Sequence, residues 1–281
     1  MTVQITSTPC VIVAIGENID TGKLLYKLRI RDRKGRDVFV WKAMSDLLKK
    51  SEVLKLQENE LQFTESRAND LIDYFNKFIN TYTGKLVSEF AASVGGWKNN
   101  FSMYVIGNRA ITVDGVSEVL QLDNPTANLF NVKGNITDWV KSAEYIAAYP
   151  AVRYKIYNSC VAPLIRLLYL TSYILDNHVE SGRLKSDSNW LAASMWGDPI
   201  AQQAGGNSTP VGIMKLIEYC MDIPTFLDET SQNPEAARKL SYAVGNVGGR
   251  FKGTSDGKNG LVVPTAPATV LLATPTFRRC L

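Results

Sequence analysis

Lys185-Ser186 opens a helical stretch, Trp190 to Trp196, and Tyr173 to Leu175 supplies a short apolar strand ahead of it. Strand, loop, Lys-Ser and helix is the context in which the pattern G-x-x-x-x-G-K-[ST] binds phosphate. Backbone N–H groups of such a loop wrap the phosphates, and the positive end of the helix faces them. Aligned to the pattern, Gly182 keeps the third inner position, but Val179 and Leu184 stand where the two framing glycines belong. Glycine there permits backbone angles and a close approach that a Cβ obstructs. If the loop needs a positive φ at Leu184, the strain is about 1–3 kcal/mol. The expectation is a nucleotide site with weakened affinity.

Three further motifs bear on that chemistry. The apolar run Ile223 to Leu227 closes in Asp228-Glu229. In phosphate-loop ATPases the Asp at the end of such a strand holds Mg²⁺ through water, and the Glu polarises the attacking water. Alone, an Asp-Glu ending is common on surface strands. Its interval from Lys185, long enough for a helix, a strand and a crossover, makes the pairing more specific. Gly245 to Lys258 is Gly-rich and basic. Arg250, Lys252 and Lys258 could contact a nucleic-acid backbone, or Arg250 could reach a neighbouring subunit's phosphate. A solvated hairpin is the plain alternative. Finally, Thr269 to Ala273 is an apolar strand with Thr274 at its tip, as in a strand that senses the γ-phosphate or the water. Gly95-Gly96-Trp97 and Trp139 read as packing features, as do Trp190 and Trp196 on a core face. His178 reads as incidental.

The elements that position these groups fall into two textures. Cys10–Ile15, Leu24–Arg31 and Asp37–Trp41 are strand candidates separated by the turns Asp20-Thr21-Gly22 and Arg33-Lys34-Gly35-Arg36. Residues 66–82 form a helix with Leu71, Ile72, Phe75, Phe78 and Ile79 on one face. Strands return over 101–106, 110–113 and 116–120. From Ile136 the pattern is helical, with Thr137 or Asp138 as cap and Pro150 as a break. Helix and strand then alternate, including helices over 210–221 and 234–244, which predicts a parallel α/β sheet. The strands at Tyr173 and Thr225 are expected to be central, with Lys185 and Asp228 together at their carboxyl ends. The division expected is a β-rich α+β domain over 1–130 and a nucleotide-binding α/β domain over 131–281.

Composition excludes other chemistries. Of 281 residues, 45% are hydrophobic and 21% charged, with a net charge of +4, so the chain is globular and mildly basic. A single histidine excludes a His-based metal cluster and makes Ser-His or Cys-His catalysis a poor fit. The four cysteines are far apart, which suggests reduced thiols in a cytoplasmic setting rather than zinc or disulfides. The most apolar stretch, Val161 to Leu175, carries Arg166 and Pro163 and falls short of the roughly 20 residues a membrane helix needs.

Several segments together resemble one family, the bacterial domain-of-unknown-function family 927. It comprises predicted ATPases carried largely by phages, plasmids and integrated elements. The matching pieces are Gly95-Gly96-Trp97, Gly134-Asn135-Ile136-Thr137-Asp138-Trp139 and Ala162-Pro163-Leu164. They continue with Trp196-Gly197-Asp198-Pro199, Gly206-Asn207-Ser208-Thr209-Pro210, Phe226 to Gln232, the Arg250 loop and the strand to Thr274. The resemblance implies a RecA-like phosphate-loop NTPase core and a helicase-like ATP hydrolase in DNA replication or maintenance of a mobile element. By that match Lys185 and Ser186 take the phosphate and Mg²⁺ roles. Asp228 is the Mg²⁺ partner, Glu229 the catalytic base and Thr274 the sensor. ATP and Mg²⁺ would be the ligands. Single-stranded DNA, a primase and further copies of the chain would be the partners. The family pattern continues beyond Leu281, so the α/β core is expected to be incomplete at its C-terminus. The alternative reading is a non-catalytic remnant that binds DNA or a replication partner without turnover.

Overall fold

The computed structural model describes residues 4–118, 120–121, 124–176, 185–205, 208–228, 244, 252–253, 261–262 and 268–274. Its contacts divide the chain into two units, Met1–Ser93 with Glu118–Leu122, and Val94–Ser117 with Asp123–Leu281.

In the first unit the two polar turns fold the opening strands into a meander of β1 (Cys10–Asn18), β2 (Leu24–Arg31) and β3 (Asp37–Ala43). Two short helices, α1 (Met44–Leu47) and α2 (Lys50–Leu54), precede α3 (Ala68–Tyr82), after which the chain returns in β4 (Val87–Ala92). The chain then leaves for β5 (Gly96–Lys98), β6 (Met103–Ile106), β7 (Arg109–Thr112) and β8 (Gly115–Glu118), and adds β9 (Leu120–Gln121) beside β4. The sheet order is β3-β2-β1-β4-β9, antiparallel among the first three and parallel from β1 to β4 and from β4 to β9.

Period-two alternation puts Tyr26, Leu28 and Ile30 on one face of β2, and period 3.6 puts Leu71, Phe75 and Ile79 on one face of α3. These stripes meet in one core with Ile12, Leu47, Val53, Leu56 and Leu61. The helix expected over 66–82 is therefore present, and its predicted stripe packs with Ile72 and Phe78 at the margin.

The second unit holds the antiparallel sheet β5-β6-β7-β8 and a separate parallel sheet. Its helices are α4 (Ile136–Ala147), α5 (Pro150–Ser159), α6 (Ala162–Leu167), α7 (Lys185–Ser194) and α8 (Pro210–Tyr219). The parallel strands are β10 (Tyr173–Asp176), β11 (Gln203–Ala204) and β12 (Thr225–Asp228). A small hairpin follows, β13 (Lys252–Gly253) with β14 (Leu261–Val262), and then β15 (Val270–Thr274). The parallel order is β10-β15-β12-β11. The strand at Tyr173 thus ends the described order instead of lying inside it, because β15 pairs with both β10 and β12.

Alternation along these strands explains why both faces are covered. Phe226, Val270 and Leu272 face α5, α6 and α7 through Val152, Ile156, Ile165, Ala192 and Ala193. Leu227, Leu271 and Ala273 face α8 through Ile213 and Ile217.

Local chemistry corrects two sequence expectations, the cap of α4 and the place of Trp190. The cap of α4 is Asn135, which accepts from the Asp138 N–H at 2.9 Å, not Thr137. The break expected at Pro150 is present: α4 ends at Ala147 and Pro150 opens α5, where its missing N–H costs nothing. Trp190 is 44% exposed and so is not a core residue.

The division also differs from the expected boundary after residue 130. Residues 94–117 group with the second unit because the Gly95 N–H donates to the Tyr219 carbonyl and the Trp97 N–H to Asp222 Oδ2, both at 2.9 Å. Gly96 permits this contact. Its φ is +83°, and a Cβ there would lie 2.2 Å from the Met221 carbonyl oxygen. Among the described residues no helix is long and apolar enough to cross a membrane.

Candidate nucleotide site at the carboxyl ends of the parallel sheet

The three longer parallel strands end level with one another. Asp176 pairs with Ala273, and Asp228 pairs with Thr274. Crevices beyond the carboxyl ends of such strands are where open α/β sheets hold ligands. α7 starts there, with Lys185 and Ser186 as its first residues. The Ser186 hydroxyl donates to Asp228 Oδ2 at 3.3 Å, across from helix to strand. Lys185 and Asp228 therefore share one end of the sheet. The first turn of α7 carries the positive end of the helix macrodipole to that end of the sheet.

A buried polar layer fixes α7 against β12. Asn189, fully buried one turn below Lys185, donates to the Leu227 carbonyl at 3.0 Å. Lys155 of α5, also fully buried, donates to Asn189 Oδ1 at 2.6 Å. This arrangement ties two helices and the Asp228 strand into one polar network.

Sequence reasoning missed both residues. The signal was present: Lys155 sits on the stripe Val152, Ile156 and Ser159, which is buried throughout. A cation on an apolar stripe must find a buried partner.

At the amino end of β12 lies a second buried cluster. Asp222 is fully buried and holds φ = +58°. Its carboxylate faces Arg166 Nε at 3.2 Å and accepts from the Trp97 N–H, while its carbonyl accepts from Tyr104 Oη–H at 2.9 Å. Burial raises its pKa above the ordinary carboxylate value, and Arg166, the Trp97 N–H and Lys98 oppose that rise. This cluster is at the opposite end of the strand from Asp228 and serves packing. Gly95-Gly96-Trp97 belongs to it, and Trp97 Nε1–H also donates to the Pro163 carbonyl at 2.7 Å.

Trp196-Gly197-Asp198-Pro199 is likewise a docking element. The Asp198 N–H donates to the Leu129 carbonyl at 2.9 Å, and a Cβ on Gly197 would meet that same carbonyl oxygen at 2.3 Å.

Ser186 and Asp228 fit a magnesium ion. A hydroxyl and one carboxylate, supplemented by phosphate and water oxygens, are the kind of hard donor set that cation takes. Gly182, Glu229, Arg250 and Lys258 lie outside the described residues, as do Val179, Leu184 and His178. Thr274 is placed by its backbone at the tip of β15, and Lys252 by its backbone in β13. Among the described residues no group of three or more His, Cys, Asp or Glu could hold a metal.

Comparison with known proteins settles the family. Residues 1–259 match the family described as "Domain of unknown function (DUF927)". The chain belongs to this DUF927 family. No curated protein matches it by sequence. A solved structure titled "SCCmec type IV Cch - active helicase" is similar in fold, at 15% identity and TM-score 0.65, over 99% of this chain and 52% of that one. A structure of the C-terminal region of NrS-1 aligns over 93% of this chain and 53% of that one at 10% identity, with a TM-score of 0.30 that establishes no common fold. This DUF927 chain thus spans about half the length of the solved structures it matches.

Proposed function

We propose that this DUF927 protein is a helicase-like, RecA-like nucleoside-triphosphate-binding protein acting on nucleic acid in the replication or maintenance of a phage, plasmid or prophage. The observation that carries the reading is the Ser186–Asp228 contact where α7 starts, level with the tips of β12 and β15. A hydroxyl from a helix N-terminus and a carboxylate from a neighbouring strand tip are the pair that a phosphate-bound Mg²⁺ requires. Lys185 and the N-terminal amides of α7 would bind phosphate, with Gly182 in the loop. Ser186 and Asp228 would hold the cation, which supplies charge neutralisation at the phosphates. Glu229 would orient and deprotonate water, Thr274 would contact it from the next strand tip, and Arg250 would stabilise charge in a neighbouring copy's site. Lys155 and Asn189 support the reading by fixing α7 against the Asp228 strand.

Val179 and Leu184 lower the expected affinity, so binding without efficient turnover is the alternative within the same site. Titration with a fluorescent ATP analogue tests the reading. Binding should be weak and Mg²⁺-dependent, lost in Asp228→Ala, and tighter in the Val179→Gly, Leu184→Gly double variant. Binding of equal strength in EDTA, or unaffected by Asp228→Ala, would refute it. Turnover that appears in the double variant and vanishes with Glu229→Gln would favour an ATPase over a non-catalytic remnant.

A further inference from the structure

One face of the five-stranded sheet in the first unit carries the core. The other is covered in part, with Ala14 and Leu25 buried, but it exposes Phe39 and Arg29, and its composition is unusual. Register places Phe39, Arg29 and Val11 in one cross-strand row and Trp41, Lys27 and Ala14 in the next, with Asp37 and Arg31 beyond. Residues in one row share a face, so these side chains all stand opposite Tyr26, Leu28 and Ile30.

Phe39 is 53% exposed, in a strand at the end of the sheet. The Lys27 ammonium lies 5.2 Å from the Phe39 ring centroid and 5.5 Å from that of Trp41. Aromatic rings and cations therefore alternate across β2 and β3. Lys27, Arg29 and Arg31 recur at every second residue, a spacing of roughly 6.8 Å along the strand. A hollow of about 170 Å³ lies at the Arg29–Arg31 end, bounded by Pro9, Cys10, Val11 and Asp37.

Charge on this face is not balanced. Glu89 pairs with Lys27 at 2.8 Å and Asp37 with Arg31 at 3.0 Å. In the adjoining hairpin Asp32 pairs with Arg36 at 2.7 Å. Arg29, Arg33 and Lys34 make no ion pair among the described residues. On the named rows three cations, Lys27, Arg29 and Arg31, meet two acids, Glu89 and Asp37, so the surplus is one positive charge, and the unpaired cation, Arg29, shares its row with the exposed Phe39 ring.

The geometry points to this sheet face as a binding surface for single-stranded nucleic acid, with Phe39 as a stacking platform and Arg29 as a backbone-phosphate contact. Stacking on a ring is sequence-tolerant, because every base has a π-face, and a line of cations tracks the backbone. An acidic peptide would satisfy the cations but gives the exposed ring no planar partner. The inference extends the nucleic-acid part of the proposed function and is independent of the nucleotide site.

The test is fluorescence anisotropy of a labelled oligo-dT with the full chain, without nucleotide, across a salt series. Phe39→Ala should weaken binding at least about fivefold, since stacking contributes about 1–3 kcal/mol per base. Phe39→Leu should lose as much, and Phe39→Tyr should restore affinity, which a purely structural role would not predict. Arg29→Ala should flatten the plot of log K against log salt by about 0.7. Thermal melts confirm that each variant is folded. Unchanged affinity in Phe39→Ala and Arg29→Ala would overturn the proposal. So would loss confined to changes at Arg250, Lys252 and Lys258, or competition by polyglutamate as effective as by unlabelled oligo-dT. Failure to bind ATP would overturn only the nucleotide site.

Discussion

Changing Asp222 to Ala should strongly destabilise the second unit, and changing it to Asn should do so only mildly. The ladder follows from what each side chain can replace. Ala leaves the Trp97 N–H without its acceptor, a charge-assisted bond at 2.9 Å, which costs about 1.5–3 kcal/mol. It must also hold φ = +58°, which costs an ordinary residue about 1–2 kcal/mol. The abandoned Arg166 side chain is 29% exposed and can be hydrated, so it adds less than a fully buried partner would. The sum is about 3–5 kcal/mol for Ala. Asn keeps an oxygen for Trp97 and tolerates left-handed backbone; it loses the ion pair but also the desolvation cost that raises the Asp222 pKa, so its net loss stays below about 1 kcal/mol. At about 2–4 °C per kcal/mol, calorimetry of the full chain should show a drop of roughly 6–20 °C for Ala and of less than about 4 °C for Asn.

The comparison also has a pH signature. Because burial raises the folded-state pKa of Asp222, its contribution is fully present below the unfolded value and lost as pH rises through the folded value. The wild type should therefore gain on the Asn variant as pH falls through that window. Equal melting of the two variants, or a gap that shrinks on acidification, would refute the reasoning.

Two other outcomes are expected. Lys155→Ala should lower stability in urea melts by about 1–3 kcal/mol from the orphaned Asn189 acceptor alone, and a change below about 0.5 kcal/mol would remove Lys155 from the polar layer. Burial pushes the Cys10 and Cys220 thiols up to about 12, whereas Cys160 is exposed, so alkylation near pH 8 followed by peptide mapping should modify Cys160 and spare the other two.

Much of the local structure was legible because it is written in short-range periodicity. The three opening strands and α3 follow from alternation, polar turns and a 3.6-residue stripe. The common end of Lys185 and Asp228 followed from the parallel-sheet expectation. The order of strands did not, because nothing local tells β10 that its neighbour is β15, nearly a hundred positions away. Lys155 and Asn189 read as surface residues by type, and only their helix faces reveal burial. Asp222 was hidden for a related reason: its partners come from two distant segments, Trp97 and Tyr104 from the β5–β6 hairpin and Arg166 from α6. Trp190 failed in the opposite direction, since a large aromatic on a helix was assigned to the core, whereas the small residues Ala192 and Ala193 fill the contact with the sheet.

The insertion of β15 between β10 and β12 has a consequence for how the chain is made. On a ribosome the strands emerge as β10, β11, β12 and finally β15. Among the described strands, β10 has no sheet partner until Val270–Thr274 appears. The segments of the first unit are all synthesised by Leu122, so its own contacts can form early in translation. The second must wait, with Phe226 and Leu227 synthesised but their covering strand still inside the tunnel. Such non-local closure is slow and leaves apolar strand edges open to chaperones, or to aggregation, until β15 arrives.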